Sequence, residues 1–251
     1  MRHEMLITPQ GREIAFERVP GVGPGVVFLG GFRSDMTGTK AVFLRDWAEK
    51  TGRAFLRFDY SGHGRSGGDF ADGAIGDWFE DALAVLALTR GKQVLVGSSM
   101  GGWIALLLAR AVPDRIAALV GIAAAPDFTE DLMWAGFSPS ERLEIVARGQ
   151  ITQASDYGEP NVLTRRLIFE GRGRLVLRAA LNLPFPVRLL QGSADVDVPP
   201  AVALRLLAHA TSPDMALTLV KGADHRFSTP DCLALIRASV TEVTRLAAAR
   251  G

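Results

Sequence analysis

A doubly wound α/β fold with an eight-stranded, mostly parallel sheet is predicted by three features of this 251-residue chain. Short apolar runs bounded by glycine, proline or charge recur along it. Helical patterns, amphipathic or wholly apolar, separate those runs, and the alternation is broken only once. Short continuous apolar runs read as parallel strands covered on both faces. Their alternation with helices places helices on both sides of one sheet. Residues 1–251 are expected to form a single domain, long enough to bury a core that needs no covalent staples.

The elements follow in order. Glu4–Ile7 and Arg12–Val19 read as an antiparallel hairpin at the sheet edge. Val26-Val27-Phe28-Leu29 is a buried strand between glycines. Thr39–Lys50 is a helix with Val42, Phe43, Trp47 and Ala48 on one side, and Ala54–Phe58 is the next strand. Ile75–Leu88 carries Ile75, Trp78, Phe79, Ala82, Leu83 and Leu86 at helical spacing. Val94–Val96 leads into Met100–Ala111, which is apolar nearly all round and therefore belongs at the centre. Leu119–Ile122, Val187–Leu190 and Leu217–Val220 supply the remaining strands. Pro199–His209 and Pro230–Ala249 are the last two helices, each with proline near its start, where it is tolerated. Between about Asp127 and Leu183 the rhythm stops. Phe128, Trp134, Phe137, Tyr157 and Phe169 lie there among charges and short helical patterns. This stretch reads as an insertion between the sixth and seventh strands of the main sheet. Its aromatic content predicts an ordered helical lid rather than a disordered loop.

Composition narrows the function. The net charge is +1, with 28 basic and 27 acidic residues intermixed, which argues against a nucleic-acid or polybasic membrane role. The longest apolar stretches, Trp103–Ala109 and Ile116–Ala125, fall far short of the roughly 20 residues of a membrane span. Cys232 has no partner cysteine in the chain, so a reducing compartment is expected. No apolar run follows Met1-Arg2-His3-Glu4. The expected location is the cytoplasm, or an organelle if a targeting segment has been removed.

Three motifs carry chemistry. Gly97-Ser98-Ser99-Met100-Gly101 fits G-x-S-x-G between a strand and an apolar helix, the setting in which a sharp turn lifts a nucleophilic serine to the carboxyl edge of a sheet. The flanking glycines are expected because side chains there would collide with neighbouring backbone. Ser99 is therefore the candidate nucleophile. Asp195, in Gly192-Ser193-Ala194-Asp195, follows the strand Val187–Gln191 and is the candidate acid; Asp197 and Asp127 are its rivals. Of the four histidines, only His225 sits in a loop at the carboxyl end of a late strand. It is the candidate base, because a serine hydroxyl needs one within hydrogen-bond reach. An acidic residue would hold its tautomer and stabilise the imidazolium. The oxyanion hole should use the backbone N–H groups of Met100 and of Phe32 in Gly30-Gly31-Phe32. Asp59-Tyr60-Ser61-Gly62-His63-Gly64-Arg65-Ser66 is rich in glycine but lacks the lysine of a phosphate loop. It reads as a structural loop beside the site, with His63 part of it.

These motifs fall in the order found in the α/β-hydrolase superfamily, which the chain resembles over nearly its whole length. Met36–Ala41, Arg57–Gly62 and Val96–Trp103 are most similar to a mitochondrial branch of thioesterases and acyl-glucuronide esterases. That resemblance implies an acyl ester or thioester as the small-molecule substrate. Two departures stand out. Gly30 replaces a histidine frequent in the family's oxyanion motif, and Gln191 stands where many members have histidine, a change from which little consequence is expected. The sequence thus predicts a serine hydrolase acting through an acyl-enzyme on Ser99, with no metal or organic cofactor. Acyl transfer by the same residues and non-catalytic ligand binding are the alternatives; fold alone does not decide chemistry.

Overall fold

A computed structural model describes residues 3–153 and 161–249; Tyr157 of the expected lid lies outside them. The strands β1 (Glu4–Ile7), β2 (Glu13–Val19), β3 (Val22–Leu29), β4 (Arg53–Phe58), β5 (Gln93–Ser98), β6 (Ile116–Ile122), β9 (Val187–Gly192) and β10 (Met215–Val220) form one eight-stranded sheet in the order β1-β2-β4-β3-β5-β6-β9-β10. β1 pairs antiparallel with β2, and β2 antiparallel with β4. Every other neighbour pair in this sheet is parallel. The N-terminal hairpin therefore caps one edge, where the sequence places it.

The central strands β3, β5 and β6 are apolar over most of their length because both faces are covered. Along β3 and β5, Val27, Leu29 and Leu95 face a core layer that includes Trp78 and Trp103. Their neighbours Val26, Phe28, Val94 and Val96 face an opposite layer that includes Leu44, Ile236 and Val243. The first layer belongs to α2 (Ile75–Ala87) and α3 (Met100–Ala111), and the second to α1 (Thr39–Thr51) and α7 (Pro230–Ala248). α6 (Pro200–His209) covers β9 and β10. α3 is buried nearly all round, from Met100 through Ala109, which explains why it lacks a polar face.

The insertion between β6 and β9 is not purely helical. It begins with a π-helical turn, Thr129–Trp134, and contains α4 (Pro139–Arg148) and α5 (Arg165–Gly171). Between these two helices, β7 (Gln150–Gln153) pairs antiparallel with β8 (Asn161–Thr164). Ile151 and Leu163, opposite each other, turn inward. Each strand has only four residues, too few for an alternating pattern to stand out from the sequence. Asp127 anchors the far end of the insertion. Its buried carboxylate accepts the N–H groups of Val176 (2.7 Å) and Leu177 (3.0 Å). Trp103 Nε1, on α3, donates to the Arg174 carbonyl.

Candidate active site

The candidate site lies at the carboxyl ends of β3, β5, β9 and β10. Ser99 follows β5 and caps α3 with φ 53° and ψ −119°, a conformation that is costly for any residue with a Cβ. Its surroundings impose it. The Ser99 N–H donates to Ile122 O at the end of β6, and Ser99 O accepts from Gly102 N and Ala125 N. The glycines on either side have ordinary backbone angles and are required by space instead. A Cβ on Gly97 would lie 2.3 Å from the Gly101 carbonyl oxygen, and one on Gly101 would lie 2.1 Å from that of Leu29. The strain of the turn therefore sits on the serine itself.

Ser99 Oγ is 3.0 Å from His225 Nε2, and His225 Nδ1 is 2.9 Å from Asp195 Oδ2. The loops after β9 and β10 come together because Gly192 has no side chain; a Cβ there would meet the Ala223 carbonyl oxygen at 2.2 Å. Ala194 N–H donates to that same oxygen. Asp195 is buried. Burial pushes its carboxyl up, but the hydrogen bonds from His225, from the Val198 N–H and from Gln191 outweigh it and hold the group below its ordinary value. An ionised carboxylate only accepts, so the His225 proton sits on Nδ1 and leaves Nε2 to accept from the Ser99 hydroxyl.

Neither rival acid occupies this position. Asp127 is spent on the insertion, as described above. Asp197 is exposed, and its backbone N–H donates to Asp195 Oδ1 (3.1 Å). Asp195, Asp197 and His225 offer atoms within 4.8 Å of one another, but those of Asp195 and His225 are engaged with each other.

Phe32 lines the same cavity as Ser99, next to Gly31, where a Cβ would lie 3.4 Å from that of Ser99. In its turn Ser34 N–H donates to Gly31 O, and among the described residues no carbonyl accepts from Phe32 N–H. Met100 N–H is at the first position of α3, where no intrahelical acceptor exists. Arg33, the next residue in the turn, has φ 56°. His63 holds it there: Nε2 accepts from Arg33 N–H (3.3 Å), while Nδ1 donates to Ser61 O (3.1 Å). Phe70, Tyr60 and Trp78 surround the His63 ring edge-on. Burial lowers the His63 pKa to about 4. The loop reading of His63 misses this clamp on the turn, because the partner lies thirty positions back in the chain.

The cavity above Ser99 measures about 810 Å³. Phe128, Leu132, Met133 and Leu163 of the insertion and Val198 form its apolar wall, and Arg33, Lys40 and Arg226 contribute to its polar side. Lys40 Nζ donates to the Arg226 carbonyl, and burial lowers its pKa.

A family model described as the alpha/beta hydrolase fold matches residues 28–155. The chain is 36% identical over 221 residues to a Rattus norvegicus protein named palmitoyl-protein thioesterase ABHD10, mitochondrial, covering 87% of this chain and 74% of that one. Among solved structures it is similar to a putative hydrolase from Agrobacterium vitis S4 (42% identity, TM-score 0.93, 97% and 98% covered). It is also similar to alpha/beta hydrolase domain-containing protein 10 from mouse (33% identity, TM-score 0.89, 96% and 98% covered).

Proposed function

Because the chain belongs to the α/β-hydrolase family, we propose that it is a serine hydrolase that cleaves acyl esters or thioesters through an acyl-enzyme on Ser99. The observation that carries this reading is the unbroken line of short contacts from Asp195 through His225 to Ser99 Oγ. Ser99 attacks the acyl carbonyl while His225 Nε2 takes its proton; the Asp195 carboxylate stabilises the imidazolium that forms. The N–H groups of Phe32 and Met100 receive the oxyanion. His225 then returns the proton to the leaving alcohol or thiol, and water releases the acyl group by the same route. No step calls on a metal or organic cofactor.

The apolar wall supplied by the insertion is where the acyl chain packs, so residues 127–183 act as a lid on a single hydrolase domain. A thioester substrate accords with the names of the thioesterase relatives. Among the described residues no helix is long and apolar enough to cross a membrane. The cytoplasmic location read from the sequence stands beside relatives whose names are mitochondrial; buried Cys232 suits either reducing compartment.

The test is labelling with a fluorophosphonate together with turnover of p-nitrophenyl esters and matched thioesters of graded acyl length. Ser99→Ala should lose both labelling and turnover. Full labelling of that variant would remove Ser99 from its role.

A further inference from the structure

Gln191 is the last side chain of β9 before the acid loop, and it is completely buried. Its amide nitrogen Nε2 lies 2.9 Å from Asp195 Oδ2 and 3.0 Å from the Val198 carbonyl oxygen. The carboxylate and the carbonyl are both acceptors, so the chemistry fixes which way the amide points: its NH2 must face them. Among the described residues the buried amide oxygen Oε1 has no hydrogen-bond partner. A side chain kept only to fill space would avoid that cost, since methionine has the same length and no polar atom to orphan. What the amide alone supplies is a pair of donors.

One donor meets Asp195 Oδ2, the same oxygen that faces His225 Nδ1. The other reaches three residues further along the acid loop and ties it back to the strand. Oδ1 is meanwhile held by the Val198 N–H (2.8 Å) and the Asp197 N–H (3.1 Å). We infer that Gln191 is a positioning residue: its amide fixes the Asp195 carboxylate and shares the charge on the oxygen that His225 uses. The inference rests on the reading of Asp195 as the partner of His225.

The consequence has a definite sign. His225 from the β10–α7 loop and Asp197 from the acid loop offer atoms within 4.8 Å of the carboxylate and of one another, and the cations Lys40 and Arg226 line the same cavity as His225. Without the amide donor, more negative charge on Oδ2 faces Nδ1. The protonated imidazole is then favoured, and the acid limb of the kcat/KM profile moves to higher pH.

The experiment compares Gln191→Met, Gln191→His and Asp195→Asn with the parent on one neutral p-nitrophenyl ester across the pH range, with a thermal melt of each. For Gln191→Met we expect kcat/KM lower by roughly ten- to a hundredfold, as for loss of a hydrogen bond to a charged group, carried by kcat with KM within about twofold. Its acid limb should rise by about 0.3 pH unit or more. Gln191→His, whose ring N–H is a donor, should stay within about threefold of the parent, with the limb unmoved. Gln191→Met at parental activity with an unmoved limb overturns the inference, as does Gln191→His impaired equally with Gln191→Met. If Gln191→Met does not fold, Gln191→His decides alone: near-parental activity supports the assignment, and a tenfold loss overturns it. Asp195→Asn separates the two levels. Full activity in that variant sinks the reading of Asp195 itself, whereas loss there beside an unaffected Gln191→Met sinks only the role of Gln191.

Discussion

Gly101→Ala tests whether the nucleophile and the oxyanion loop are held together by the absence of a single methyl group. A Cβ at Gly101 would lie 2.1 Å from the Leu29 carbonyl oxygen and 2.5 Å from that of Gly30. Both atoms belong to backbone at the end of β3, so no side chain can rotate out of the way. To bring the nearer contact out to 3.0 Å, α3 and the loop that carries Phe32 must part by about 0.9 Å, and a misplacement of about 1 Å costs roughly 10²-fold in rate. On the proposed mechanism the loss falls on the step in which the Phe32 and Met100 N–H groups would meet the developing oxyanion, so it should appear in kcat and in the rate of fluorophosphonate labelling. The assay is kcat/KM on a short p-nitrophenyl ester, with far-UV circular dichroism and a melt to establish folding. Gly136→Ala is the control, because a Cβ there meets nothing within 4 Å. A folded Gly101→Ala protein within about threefold of the parent would refute the argument that this seam sets the site geometry.

Three further outcomes follow from the same contacts. His63 is buried neutral with its pKa lowered to about 4, so it contributes stability that is full above the ordinary value near 6.5 and is lost as pH falls toward 4. Between pH 7 and pH 5 that loss is about 2 kcal/mol, and His63→Asn should flatten this part of the urea-unfolding profile; an unchanged slope would remove His63 as its source. Asp127→Ala leaves the Val176 and Leu177 N–H groups without their acceptor, and should lower stability by about 3 kcal/mol and speed tryptic cleavage within residues 127–183. Equal melting temperatures and cleavage rates would contradict the anchoring role. Met133→Trp narrows the apolar wall and should cut kcat/KM for long acyl chains by roughly tenfold relative to short ones, and an unaltered chain-length profile would place the acyl group elsewhere.

The parts of the fold legible from sequence are those whose physics is local. β3, β5 and β6 are continuous apolar runs because both faces are covered, and α3 lacks a polar face because it lies between them and the insertion. Ser99, Asp195 and His225 stand out because few residue types can do their chemistry and each follows a strand. The β7/β8 hairpin is obscure because each strand offers four residues in a segment where helical patterns dominate. Gln191 and His63 are noticed in the sequence, but what they hold in place is not, for a different reason. Neither has a reactive role, and their worth is set by partners that no spacing rule connects, Asp195 and Val198 for one and the Arg33 N–H for the other.

Glycine is the one local signal that does point to these long-range contacts, once its two uses are separated. At Gly52 and Gly149 it serves a positive φ, 65° and 82°, with nothing within 4 Å of where a Cβ would stand, and marks a helix end. At Gly97, Gly101 and Gly192 it lies outside that region, and its lack of a Cβ lets backbone approach backbone to a distance that a methyl would forbid. Gly97 and Gly101 seat α3 against β5 and against the end of β3, from which the turn that carries Phe32 leads. Gly192 seats the Asp195 loop against the His225 loop. The three side chains and two N–H groups of the proposed site thus depend on two backbone seams. Alanine should therefore cost activity at Gly101 and Gly192 even though neither residue touches substrate, and should cost little at Gly136, where the same methyl meets open space.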